Sequence, residues 1–237
     1  MEDIIFPVLG IVFGLGVPIL IVAGIVYFIL KLRKGTSIKF SYRTALRVYF
    51  YVVILVSIGL AGIGGASTLV RVALGEAIGT EFSYGGLYRE HQERLERESN
   101  NDSYYSDRNW GERTLPEMLN LEMKGHLIDG ISLAIIGLLL LTVHLLGRSW
   151  LETDSERLGM LRRLYLFAGL VVFAILTIVS LAVGIPETLR YAFAVSNDYG
   201  SPAEPLSIAI AALPIWVCFL IATLGNIRGN EGDTVIE

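Results

Sequence analysis

The 237-residue sequence holds one cysteine and three histidines. A lone Cys218 closes no intrachain disulfide, so a disulfide scaffold is excluded and no redox compartment is implied. The scattered histidines do not supply a ligand set for structural zinc. Charge is scarce too: Asp, Glu, Lys and Arg make up 18% of the chain, against about 25% in soluble domains. The net charge of −4, from 19 basic and 23 acidic residues, argues against a general affinity for nucleic acid. There is no Walker loop, no His-Glu-x-x-His, no Gly-x-Ser-x-Gly and no paired-cysteine redox motif, and so no catalytic residue to name.

What the sequence has in plenty is apolar residues, 53% of the chain, with a mean hydropathy of +0.59. They lie in long blocks, at about 4–31, 46–73, 127–147, 161–185 and 206–226. About 20 apolar residues in helix cross a bilayer core of about 30 Å. The blocks do not alternate as barrel strands do. The expected fold is all-α: a polytopic membrane protein of five transmembrane helices forming a single membrane domain over 1–237. The opening Met1-Glu2-Asp3 reverses the positive start of a secretory signal, so the first block reads as a retained span.

Basic residues set the expected orientation. Lys31, Arg33, Lys34, Lys39, Arg43 and Arg47 fall between the first two spans, and Arg148, Arg157, Arg162 and Arg163 between the third and fourth. Positive charge inside makes both connections cytoplasmic, the N-terminus external and the C-terminus cytoplasmic, in the cell membrane. The stretch 80–126 then becomes an extracytoplasmic loop with helical segments. Glu81 to Glu98 reads as a charged helix continuing span two, with Leu87, His91 and Leu95 as a thin apolar stripe. Thr114 and Pro116 mark a new helix start. Leu115, Met118, Leu119 and Met123 suggest a piece lying on the membrane surface before span three. Tyr84, Tyr88, Tyr104, Tyr105 and Trp110 suit either headgroup anchors or interaction anchors.

Span two opens Arg47-Val48-Tyr49-Phe50 and span four Arg163-Leu164-Tyr165-Leu166. Each follows a basic linker, so a duplicated helical hairpin plus one helix is expected, with both hairpins in the same orientation. His144-Leu145-Leu146-Gly147-Arg148-Ser149-Trp150, followed by Arg162-Arg163-Leu164-Tyr165-Leu166, resembles an uncharacterised bacterial multi-helix membrane-protein family of Chloroflexi and actinobacteria. Its repeated unit is helix, Arg-x-Trp, polar linker, Arg-x-Leu-Tyr, helix. The resemblance covers about 127–190, and 20–75 more loosely, where no Trp follows Lys34. It implies architecture and no activity.

Three constellations merit weighing. His126 and His144 border span three, but 18 residues separate them, about 27 Å along one helix, so one haem cannot use both. His144 with Met160 is the remaining haem pairing. Asp129, near the start of span three, is costly if unpaired in lipid. A structural charge cluster of Asp129 with Arg71 or Arg190, joined by Glu187 and Glu76, would compensate it. Small residues at four-residue spacing, Gly10 with Gly14, Ala61 with Gly65 and Gly75 with Gly79, suit close helix packing. Pro7, Pro18 and Pro214 suit kinks, and the Gly-rich stretch 59–65 offers a site for a broken, substrate-binding helix.

The expectation is a non-enzymatic accessory or scaffold subunit, without cofactor or metal. Its partners are the lipid bilayer and other membrane-protein subunits or a second copy of itself. A small-solute or ion channel or transporter is the alternative, and a haem-binding electron carrier the third reading.

Overall fold

A computed structural model describes residues 42–99, 113–152, 159–193 and 200–233. Internal packing divides the chain into two units, 1–45 and 46–237. Of the first, only the turn beginning at Tyr42 is described. The expected span 4–31, with Gly10, Gly14, Pro7 and Pro18, lies outside the described residues, as do the aromatics Tyr104, Tyr105 and Trp110.

The described residues are helical, with no strand among them. In chain order they form α1 (Tyr42–Gly59), a π-helical turn (Leu60–Ala66), α2 (Ser67–Ala77), α3 (Thr80–Ser99), α4 (Leu115–Leu151), α5 (Met160–Ala192) and α6 (Ala203–Asp233). Among the described residues four helices are long and apolar enough to cross a membrane: Tyr42–Ala77, Leu115–Leu151, Met160–Ala192 and Ala203–Asn226. This is an all-helical chain of membrane-protein character, and the four blocks from 46 onward fall inside these helices.

The glycine-rich stretch does not break its helix. It widens to a π turn, in which the Ser67 amide donates to the Gly62 carbonyl. Such widening leaves carbonyls underused. The Ser67 hydroxyl closes on the Ile63 carbonyl and the Thr68 hydroxyl on that of Gly64, at 2.6 Å for the latter.

Small residues set the crossing with α4. A Cβ on Gly65 would stand 2.6 Å from the Ala134 nitrogen, and one on Gly137 2.6 Å from the Ala61 nitrogen. Backbones this close gain van der Waals contact without a hydrophobic drive, which lipid does not supply. The covered seam of α4 is narrow. Gly130 and Gly137 are buried, while Ile128, Ile135, Leu139 and Leu146 stay exposed.

The core lies between α5 and α6, where Leu166, Phe173, Ala212 and Phe219 pack with Leu55, Ile58 and Ile63 of the helix Tyr42–Ala77. The Phe173 and Phe219 rings stack at 5.6 Å. Gly169 lies directly against the Phe219 ring and has no room for a methyl group.

Two expectations about the 80–126 stretch need correction. The charged helix forms, but it does not continue span two: Gly79, at φ +141°, turns the chain before α3. Only glycine adopts that angle at little cost. The segment 115–126 is likewise not a separate surface piece. Thr114 and Pro116 do start a helix, its Thr114 amide donating to Glu117 Oε2 at 3.0 Å, but α4 then runs unbroken for 37 residues. Pro116 sits in the first turn, where its missing N–H costs nothing, and the single Gly125 costs only about 1 kcal/mol, so intrahelical hydrogen bonding carries the helix into the apolar run.

Candidate functional site

Two ionic clusters occupy opposite ends of the helices. The first centres on Glu152, the residue that ends α4: its amide donates to the Arg148 carbonyl at 3.0 Å while its backbone turns extended. A carboxylate at a helix C-terminus meets the negative end of the helix dipole. This one is also buried, its side chain 1% exposed. Three donors compensate it. The Tyr51 hydroxyl donates to Oε1 at 2.6 Å, Arg148 Nε to Oε2 at 2.8 Å, and Arg47 reaches Oε1 at 3.4 Å. The Arg148 guanidinium also covers the Tyr51 ring at 4.8 Å, and Tyr165 packs on that ring at 4.9 Å. Burial by itself would raise the Glu152 pKa. The hydrogen bonds from Tyr51 and Arg148, with the charges of Arg148 and Arg47, outweigh it and hold the group below the usual carboxylate range.

Helical spacing makes this cluster. Arg47 and Tyr51 are one turn apart on α1, and Arg148 and Glu152 one turn apart at the end of α4. Tyr165 opens α5, so the cluster joins three spans at one end.

The second cluster lies at the other end. Arg71 donates to the Ser83 carbonyl at 3.1 and 3.2 Å, pairs with Glu204 at 3.4 Å and lies over the Tyr84 ring at 5.4 Å. The Ser83 hydroxyl returns a bond to the Arg71 carbonyl at 3.0 Å. Phe82, Ser83 and Tyr84 are thereby buried, a plug where α3 folds back on the spans. His126 stacks on Tyr84 at 5.5 Å and approaches Glu122 at 3.6 Å. The Tyr84 hydroxyl and His126 Nδ1 are both buried without a hydrogen-bond partner, and burial pushes the Tyr84 hydroxyl pKa up.

The expected clasp of Asp129 with Arg71 or Arg190 does not form. Asp129 is exposed, and no ion pair joins it to either arginine. The reason is tertiary: the α3 plug presents a carbonyl and α6 a carboxylate, and both claim Arg71. Arg190 is exposed at the end of α5, and Glu187, half-buried, lies within electrostatic reach of Arg190 and Glu204. Glu76 lies apart from them on α2, lining a cavity against α4. Ala61 and Gly65 stand at the α4 crossing described above.

The histidines meet protein groups. His144 Nδ1 donates to the Leu140 carbonyl at 2.7 Å, and Nε2 lies 3.3 Å from the Tyr49 hydroxyl. Donation to the Leu140 carbonyl sets the proton on Nδ1, so the Nε2 lone pair faces the Tyr49 hydroxyl. Among the described residues no three His, Cys, Asp or Glu gather as metal ligands would.

The Glu152 cluster was missed in the sequence, where Arg47 and Arg148 counted only as the positive charge of two connections. Its signal was the pair of i, i+4 couples, Arg47 with Tyr51 and Arg148 with Glu152. Phe82-Ser83-Tyr84 also signalled a buried turn inside a polar stretch.

Residues 108–218 match the family model described as Domain of unknown function (DUF5671). That stretch, a little under half of the chain, is thus similar to an uncharacterised domain family, and it includes the Arg-x-Trp and Arg-x-Leu-Tyr segments. No curated protein and no solved structure matches the chain.

Proposed function

We propose that the protein is a non-enzymatic integral membrane scaffold, an accessory subunit that presents its helices to other membrane proteins. The observation that carries this reading is how the polar groups inside the spans are used. Ser57 donates to the Val53 carbonyl, Thr177 to Phe173 and Thr223 to Phe219, each at 2.7 Å. Hydroxyls turned back on their own helices do not line a path for a solute. The ionic clusters stand at the helix ends and knit elements together. A channel or transporter, the alternative, needs polar groups in file through the bilayer, and the haem carrier, the third reading, needs axial ligands that face one iron.

Photo-crosslinkers placed at the exposed positions Ile135 and Leu139 of α4 test the reading in native membranes. Protein adducts of discrete mass are expected. Lipid adducts alone, together with solute flux in liposomes, would overturn it in favour of transport.

The finer architecture belongs to the same proposal: five spans, a duplicated hairpin, an external N-terminus and a cytoplasmic C-terminus in the cell membrane. The basic stretch Lys31–Arg47 supports the orientation. An impermeant thiol reagent applied outside should label a cysteine placed within 100–110 and spare one at Ser37 or Asp154. The reverse pattern would sink the orientation.

A further inference from the structure

Between α2 and the first turns of α4 lies a cavity of about 390 Å³. Val72, Leu119, Met123 and Leu127 form its apolar wall, and Glu76, Asn120 and Lys124 its polar part. Sites for small molecules and headgroups fall in the range of about 300–1,000 Å³, so the space suits a compact group rather than a helix. Asn120 and Lys124 are one helical turn apart on α4, so both amide and ammonium address the same side. Glu76 faces them from α2.

Among the described residues Glu76 and Lys124 take part in no ion pair, with each other or with any neighbour, and Asn120 makes no hydrogen bond. Thr80, on the same wall, is already bonded to the Tyr88 hydroxyl at 2.7 Å. The cavity therefore offers one anion and one cation, not neutralising each other, above an apolar floor. Leu127 begins the apolar run of α4, so the charges stand where a lipid changes from headgroup to acyl chain.

We propose that this cavity binds the headgroup of a zwitterionic phospholipid carrying a primary amine, a phosphatidylethanolamine of the bilayer. The phosphate meets Lys124 and the Asn120 amide, the ammonium meets Glu76, and the glycerol end lies against Met123, Leu127 and Val72. Choline lipids fit less well, because a quaternary ammonium has no N–H to donate to a carboxylate and is best held by aromatic rings. None of the lining residues is aromatic. Phosphatidylglycerol supplies the phosphate and leaves Glu76 without a cation. This inference needs the membrane location but not the scaffold reading.

The test is native mass spectrometry of the full chain, released from detergent with equal amounts of phosphatidylethanolamine, phosphatidylcholine and phosphatidylglycerol. Wild type should retain the ethanolamine lipid about tenfold over the other two, the worth of one favourable charged contact. Glu76→Gln should bring it down to the choline level, and Lys124→Met should weaken all three. Both side chains are exposed, so melting temperature should hold. Should either variant unfold, Asn120→Asp gives a second reading, since a carboxylate beside the phosphate should weaken all three lipids. Equal retention of the three headgroups by wild type, or an ethanolamine preference that survives Glu76→Gln, would overturn the proposal. Displacement of the lipid by an equal concentration of soluble phosphoethanolamine would overturn the bilayer as its source.

Discussion

Replacing Glu152 by Gln keeps the shape of the side chain and removes the charge that two guanidiniums and a phenol converge on. The amide can still accept from Tyr51, but its NH2 end then faces an arginine donor. Breaking a buried ion pair costs about 3–5 kcal/mol. The lower end applies, because the Arg148 side chain is 20% exposed and can turn toward water. A loss of about 3 kcal/mol lowers the melting temperature of a chain this size by roughly 6–12 °C. Tyr51→Phe removes a single hydrogen bond to a charged acceptor, about 1.5–3 kcal/mol. The double variant should fall short of the sum, since both changes act on one carboxylate. Thermal melting in one detergent, followed by tryptophan fluorescence, measures all three.

The pH dependence carries its own sign. Folding holds the Glu152 pKa below its ordinary value of 4.5. The stabilisation is therefore complete above about 4.5 and is lost as pH falls through the folded value. Wild type should lose melting temperature with acid in that window, while the Gln variant loses less and the two curves converge. An E152Q protein that melts within about 1 °C of wild type at pH 7, where a 3 kcal/mol loss predicts far more, would refute the reasoning.

Two further outcomes are expected. Gly65→Leu and Gly137→Leu should each separate the helix Tyr42–Ala77 from α4, because even a Cβ meets backbone at 2.6 Å; overpacking of this kind costs at least about 1–3 kcal/mol, read as a lower melting temperature and a more proteolysed α4, and an unchanged melt would show that the crossing is looser than described. Asp129→Asn should change the melting temperature by little, within the roughly 0.5 kcal/mol typical of surface substitutions, whereas a large loss would mean that the carboxylate has a partner in the membrane.

The sequence by itself determined the helices. Apolar runs such as 161–185 leave no choice, since backbone groups in lipid must be satisfied within the segment. The capping signal at Thr114 and the small residues Ala61 and Gly65 were equally local, and each can be read within one turn of chain. The partners of charged groups were not local. Asp129 and Arg71 looked matched in depth, but depth along a helix says nothing about rotation around it or about what else competes. The fold of α3 at Gly79 delivered the Ser83 carbonyl to Arg71, and the start of α6 delivered Glu204. At the opposite end, Glu152 met Arg47 across 105 residues of sequence because the start of α1 and the end of α4 fall on the same level and face. Which ion pairs form is a property of helix rotation and of chain reversal, and these follow from packing around Gly65, Gly137 and the Phe173–Phe219 core.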